Sequence, residues 1–168
     1  MSLIPDPAVM QAKLASLPLA AYRAGETVIA EGTRTGRLFI LRKGAVSIVK
    51  AGVEIARATE PGAMFGELSA LLDQAHTADV RAVEPSEFHV ADAAALLTQD
   101  PVALLFIAAV LARRLDATNK ALVELKQQIE TGQPPSVIGK TLEKIEALLS
   151  ASSTSLVYAG YPTDPFAA

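Results

Sequence analysis

Between Leu17 and Asp92, short β-rich runs alternate with turn residues at intervals of about eight to twelve positions. No other feature restricts the fold so tightly, because strands this short and evenly spaced predict a small all-β barrel or roll. The runs are Ala20–Tyr22, Thr27–Ala30, Arg37–Arg42, Ala45–Lys50, Glu54–Ala58, Asp79–Val83 and Glu87–Val90. Glycines at 25, 32, 36, 44, 52 and 62 fall between them, where a reversing chain often needs φ > 0. Lys50-Ala51-Gly52-Val53 reads as a hairpin tip.

One stretch breaks the rhythm. Phe65-Gly66-Glu67-Leu68-Ser69-Ala70-Leu71-Leu72 is apolar with a helical look, begins just after Pro61-Gly62, and ends in the polar link Asp73–His76. Packing alone gives no reason for a helical turn inside a β-roll, so the stretch is expected to be a binding element. Glycine admits close backbone approach, and the first amides of a helical turn have no intrahelical acceptor and favour anions.

Around this roll the sequence predicts helices. A short one is expected within residues 1–16. Asp92 can cap another through Leu97, and Asp100-Pro101 supplies a cap and a first-turn proline for a long helix to about Glu130, stopped by Gly132 and Pro134-Pro135. A further helix is expected over roughly 136–149, then a linker at 150–155 and a tail without periodicity. Along the long helix, Leu104, Ala108, Leu111, Leu115, Thr118, Leu122, Leu125 and Ile129 form an a/d stripe over about three and a half heptads. A helix packed only on its own roll needs a similar stripe. The first half is apolar on several faces (Leu105, Phe106, Ile107, Val110) and should pack on the roll; the narrower second half suits a parallel homodimer. Thr118 is a polar interruption that fixes register or faces a ligand.

Composition narrows the chemistry. The formal charge of −3 gives no electrostatic footprint for nucleic acid, and the absence of cysteine excludes disulfides, thiol catalysis and thiolate-bound metals. Two histidines are too few for the usual metal-dependent β-barrel site, and no nucleophile, base or metal set is apparent, so an enzyme is not expected. No signal peptide is read, and the apolar run Val102–Ala112 is too short to span a bilayer; a soluble cytoplasmic protein is expected, with no membrane partner. The hydrophobic fraction of 51% suggests that some surface meets a partner subunit, although alanine inflates it. His89 is expected to be a packed or surface histidine, and Arg34, Arg37, Arg42 and Lys43 a solvated strand end.

Phe65-Gly66-Glu67-Leu68-Ser69 followed by Thr77-Ala78-Asp79-Val80-Arg81-Ala82 resembles the phosphate-binding cassette of cyclic-nucleotide-binding domains. The helix from Asp100-Pro101 through Ala112-Arg113-Arg114-Leu115 is similar to that of the bacterial catabolite activator branch. The resemblance covers roughly residues 15–130. It implies a mainly β fold with α-helices: a double-stranded, jelly-roll-like β-roll. The chain would divide into an N-terminal helical segment (1–16), a nucleotide-binding roll (17–98), a long dimerisation helix (99–131) and an additional helix with an irregular tail (132–168). The implied ligand is cyclic AMP or cyclic GMP, without a further cofactor or metal. Glu67 would hold the ribose 2′-hydroxyl, the backbone of Gly66, Leu68 and Ser69 would cradle the cyclic phosphate, and Thr77 would add a hydroxyl. Arg114 would steady Glu67, and Thr118-Asn119 would reach the base across the dimer.

The sequence departs from the family where the phosphate-binding arginine is expected, for His76 stands there. Arginine offers a permanently charged fork, whereas histidine near neutrality is mostly uncharged. Two expectations stay open: weakened cyclic-nucleotide binding, tighter at pH 6 than at pH 8, or a degenerate pocket in a constitutive dimeric docking module. After Glu130 come two lysines, Lys140 and Lys144, and no arginine, which does not resemble a DNA-recognition helix. The expected output is an unknown protein partner rather than direct DNA binding.

Overall fold

The computed structural model describes residues 7–132, 134 and 136–142. Its elements run α1 (Pro7–Ala15), β1 (Leu19–Tyr22), β2 (Thr27–Ile29), β3 (Arg37–Lys43), β4 (Val46–Lys50), β5 (Val53–Ala58), β6 (Met64–Phe65), α2 (Glu67–Leu71), β7 (Asp79–Ala82), β8 (Ser86–Asp92), α3 (Ala93–Gln99) and α4 (Pro101–Glu130). The strands make two four-stranded antiparallel sheets, ordered β1-β8-β3-β6 and β2-β7-β4-β5. This is the mainly β, jelly-roll architecture with a long C-terminal helix that the resemblance implies; the spacing of the runs alone predicts a roll.

The run Leu38-Phe39-Ile40-Leu41 on β3 explains how the parts join. Successive side chains on a strand point to opposite faces. Phe39 and Leu41 enter the roll interior with Val28, Ile29, Val46, Val80 and Phe88. Leu38 and Ile40 face the other way, into a second core with Met10 and Leu14 of α1 and Ala103, Phe106, Ile107 and Val110 of α4. Phe88 is fully buried and meets Tyr22, Phe39 and Phe65 edge-on, with centroids 5.6, 6.2 and 6.4 Å away. Burying one such ring contributes about 1.5–3 kcal/mol. Where β3 turns into β4, Gly44 has φ +100 and a Cβ there would sit 2.3 Å from Ser86 Oγ, so only glycine fits.

The helix signals act as expected. Asp92 accepts from the amide of Ala95 at the start of α3, and Asp100 from those of Val102 and Ala103 at the start of α4. Lys13 of α1 pairs with Asp100 and ties α1 to this corner. α3 and α4 meet at a bend of 104°. Among the described residues, no single helix is long and apolar enough to cross a membrane.

α4 carries two adjacent stripes offset by one residue. Ala103, Ile107 and Val110 are buried against the roll, and Arg114, Ala121 and Gln128 continue that face. Residues 136–142 are helical and cover its far end: Ala121 and Thr141 are buried, and Thr141 Oγ1 donates to Gln128 Oε1 at 2.7 Å. The second stripe is the predicted seam. Leu104, Ala108, Leu115, Leu122 and Ile129 are exposed in the single chain, while Leu111, Thr118 and Leu125 are half-buried.

Three expectations need correction. Phe65 belongs to β6, a two-residue strand paired with Phe39 and Ile40, rather than to the helical element, which begins at Glu67. Leu105 is exposed, because it points away from the roll face of α4. The four basic residues do not form one cluster: β3 separates them, Arg34 pairing with Asp73 and Arg42 and Lys43 with Glu87 at the other end. The expected helix beyond 142, the linker and the tail lie outside the described residues.

Candidate functional site

Gly66 sets the geometry of the cassette. Its φ of +94 turns the chain from β6 into α2, and a Cβ there would lie 2.5 Å from the carbonyl oxygen of Arg37. Any side chain would therefore push α2 off the sheet. No side chain caps α2, so its first amides stay available to a ligand. The hydroxyl of Ser69 is committed elsewhere: it donates to the carbonyl of Gln74 at 2.5 Å and closes the loop from α2 toward β7.

A cavity of about 200 Å³ opens beside this turn. One end is formed by Gly66, Glu67, Leu68 and Ser69 with His76, Thr77 and Ala78. The walls are apolar, from Ile29, Ile48, Ile55, Ala56, Met64, Phe65 and Val80. Lys50 and Arg114 also line it. The structure thus brings Gly66, Glu67, Leu68, Ser69, His76, Thr77 and Arg114 together in the lining of one cavity. Thr118 and Asn119 lie outside the pocket of their own chain. Thr118 Oγ1 donates to the carbonyl of Arg114 at 2.8 Å, and Asn119 is exposed.

Glu67 is 5% exposed, and its Oε1 accepts from Nη1 of Arg114 at 2.8 Å. Such a pair balances a large desolvation cost against attraction in a low-dielectric setting, and losing one partner strands the other charge. It is also the bond between the cassette and the long helix. His76 is equally enclosed. Its backbone is fixed on both sides, with the Gly32 amide on its carbonyl and its own amide on Thr33, each at 2.8 Å. Its ring Nε2 shares a hydrogen bond with Thr35 Oγ1 at 2.9 Å. Burial pushes its pKa below the ordinary histidine value, and the nearby Glu67 carboxylate offsets this only in part. The ring is neutral at pH 7 and offers hydrogen bonding without charge.

Sequence reasoning missed Thr35, Lys50 and the apolar walls. The walls carried a signal: Ile48 and Lys50 are two apart on one strand and share a face. Which face borders the cassette depends on the pairing of β4 with β7, a contact between distant segments. Of the other histidine, Nδ1 is buried without a partner, and burial with the nearby Arg42 pushes the pKa of His89 down, as for a packed ring. Among the described residues no group of three His, Cys, Asp or Glu could hold a metal ion.

Comparison with known proteins bears on this pocket. The family model for the cyclic nucleotide-binding domain matches residues 19–99. Glutaminase 2 of Bradyrhizobium diazoefficiens is 40% identical over 106 residues, covering 58% of this chain and 17% of that protein. The chain therefore matches under a fifth of that relative's length. The Thermus thermophilus catabolite activator protein superposes with a TM-score of 0.56 at 23% identity, covering 85% of this chain and 81% of that one, which shows the fold alone. A structure of Sp-2Cl-cAMPS bound to PKAR CBD2 is similar at a TM-score of 0.53 and 26% identity, covering 74% and 78%.

Proposed function

Residues 19–99 are a cyclic nucleotide-binding domain, and from that premise we propose that the chain senses cyclic AMP or cyclic GMP and passes the signal to a dimeric pair of α4 helices. The observation that carries this reading is the 2.8 Å bond from Arg114 to Glu67. Glu67 uses Oε1 for Arg114 and keeps its second oxygen for the ribose 2′-hydroxyl. The backbone of Gly66, Leu68 and Ser69 and the hydroxyl of Thr77 take the cyclic phosphate, and the apolar walls take the base. Thr118 and Asn119 serve the pocket of the partner subunit across the seam. A ligand competing for Glu67 changes the restraint on Arg114, and so on α4, by as much as its affinity differs between the two helix positions. The output is a docked protein partner in the cytoplasm rather than DNA. The glutaminase likeness concerns less than a fifth of that enzyme and carries no catalytic reading.

The second reading is a constitutive dimeric docking module with a degenerate cassette. It is favoured by His76, which is buried, neutral and tied to Thr35 where a charged fork is expected. Loss of one charge-assisted hydrogen bond costs about 1.5–3 kcal/mol, weakening binding without abolishing it. Calorimetry with both nucleotides, joined to hydrogen exchange along α4, separates the two. Heat of binding with altered exchange in α4 supports sensing. Folded protein giving no heat at millimolar ligand leaves the docking module.

A further inference from the structure

Four residues lining the pocket are ionisable: Lys50, Glu67, His76 and Arg114. Glu67 and Arg114 neutralise each other at 2.8 Å, and buried His76 is uncharged at neutral pH. Lys50 is left. Among the described residues its ammonium makes no ion pair, although acids lie nearby on the neighbouring elements. Glu31 accepts from the amide of Ala51 at 3.1 Å, Glu54 pairs with Arg57 at 2.7 Å, and Asp79 pairs with Arg81 at 2.5 Å.

Register places Lys50 at the anion end. β4 pairs with β7 through Ile48↔Val80 and Val49↔Asp79. The next step sets Lys50 opposite Ala78, beside Thr77 and two residues from His76. Adjacent strands lie about 4.8 Å apart, so the long stem of Lys50 spans to that end easily. Lys50 shares the pocket-facing side of β4 with Ile48.

We infer that Lys50 supplies the positive charge for the cyclic phosphate that the residue at position 76 does not. A cyclic phosphate diester carries one negative charge, which matches the one unbalanced cation of the described lining. The inference rests on the cyclic-nucleotide reading and deepens it by naming the charged ligand of the phosphate. An ammonium on an exposed hairpin is screened by salt, so its contribution depends on ionic strength, whereas that of a neutral histidine does not.

The test is calorimetry of the full chain with cyclic AMP and cyclic GMP, at about 0.05 and 0.5 M salt, comparing wild type, Lys50→Gln and Lys50→Arg. Lys50 is exposed, so neither substitution threatens folding. Lys50→Gln is expected to weaken binding about five- to twentyfold at low salt and to lose most of the salt dependence, while Lys50→Arg stays within about threefold. Binding by Lys50→Gln that equals wild type at both salts, or an equal loss in Lys50→Arg, overturns the charge role while leaving the nucleotide reading intact. Absence of binding by wild type itself removes both.

Discussion

The two halves of α4 are built from similar residues and meet opposite fates. From Pro101 to Val110, the helix buries Ala103, Phe106, Ile107 and Val110 to 3% exposure or less against β3 and α1. Beyond Arg114, Leu115, Leu122 and Ile129 stay 62%, 59% and 60% exposed. The first half is satisfied by its own chain. The second presents an apolar stripe that stays exposed among the described residues, because the helix at 136–142 settles on the neighbouring stripe instead. Arg114 sits at the junction and holds Glu67. One continuous helix therefore joins a part fixed to the roll and the pocket with a part whose exposed stripe is the proposed seam for a second copy.

The sharpest way to break this contrast is through the first half. Phe106→Ala removes a ring from the core shared by β3 and α4, and is expected to cost about 3–5 kcal/mol of folding stability in urea denaturation. In the second half, Leu122→Glu is expected to leave monomer stability within about 0.5 kcal/mol but to weaken self-association by about 2–4 kcal/mol in sedimentation. If Leu122→Glu destabilised the fold as Phe106→Ala does, and left association untouched, the division of α4 would be wrong.

The smallest effect comes from acid, and it acts on the roll. Burial holds the folded pKa of both His76 and His89 below the unfolded value of about 6.5. In that window the unfolded chain binds more protons than the folded one, so stability is full above about pH 7. It then falls as the pH drops through 6.5, and goes on falling until the folded pKa values are passed. Asp79, Glu87 and Asp100 are held below their ordinary values by their hydrogen-bonded partners, so their losses begin only near pH 4 and below. Thermal melts from pH 8 to 5 are expected to show the histidine step without ligand. His76→Gln should reduce it, and self-association through the second half of α4, which contains no histidine, should be unaffected. An anionic ligand beside His76 raises that pKa, so nucleotide affinity should be higher at about pH 6 than at about pH 8. A flat profile to pH 5 would remove His76 from the phosphate's surroundings.

Local signals in the sequence were strong where physics is local. Asp100-Pro101 and Gly132 bracket α4 as Pro101–Glu130, and β1 to β5, β7 and β8 start and end close to the runs read from alternation. Gly66-Glu67 marks the cassette because its constraint is one residue against its neighbours. What stayed hidden depends on distant pairing. β6 is too short to show a period, and its existence comes from β3. Thr35 becomes the partner of His76 only once Thr33 and His76 are joined through the backbone. Lys50 resembles any hairpin lysine until β7 is laid beside it. The first half of α4 is so apolar that its sequence alone does not say which way Leu105 points.

β3 is a party wall between two rooms, with Phe39 and Leu41 furnishing one and Leu38 and Ile40 the other. A piece cut at residues 19–99 would leave Leu38 and Ile40 facing water, and the smallest autonomous unit therefore reaches from α1 through the first three turns of α4. The roll and its lever have no separate existence: whatever strains one side of that wall is felt on the other.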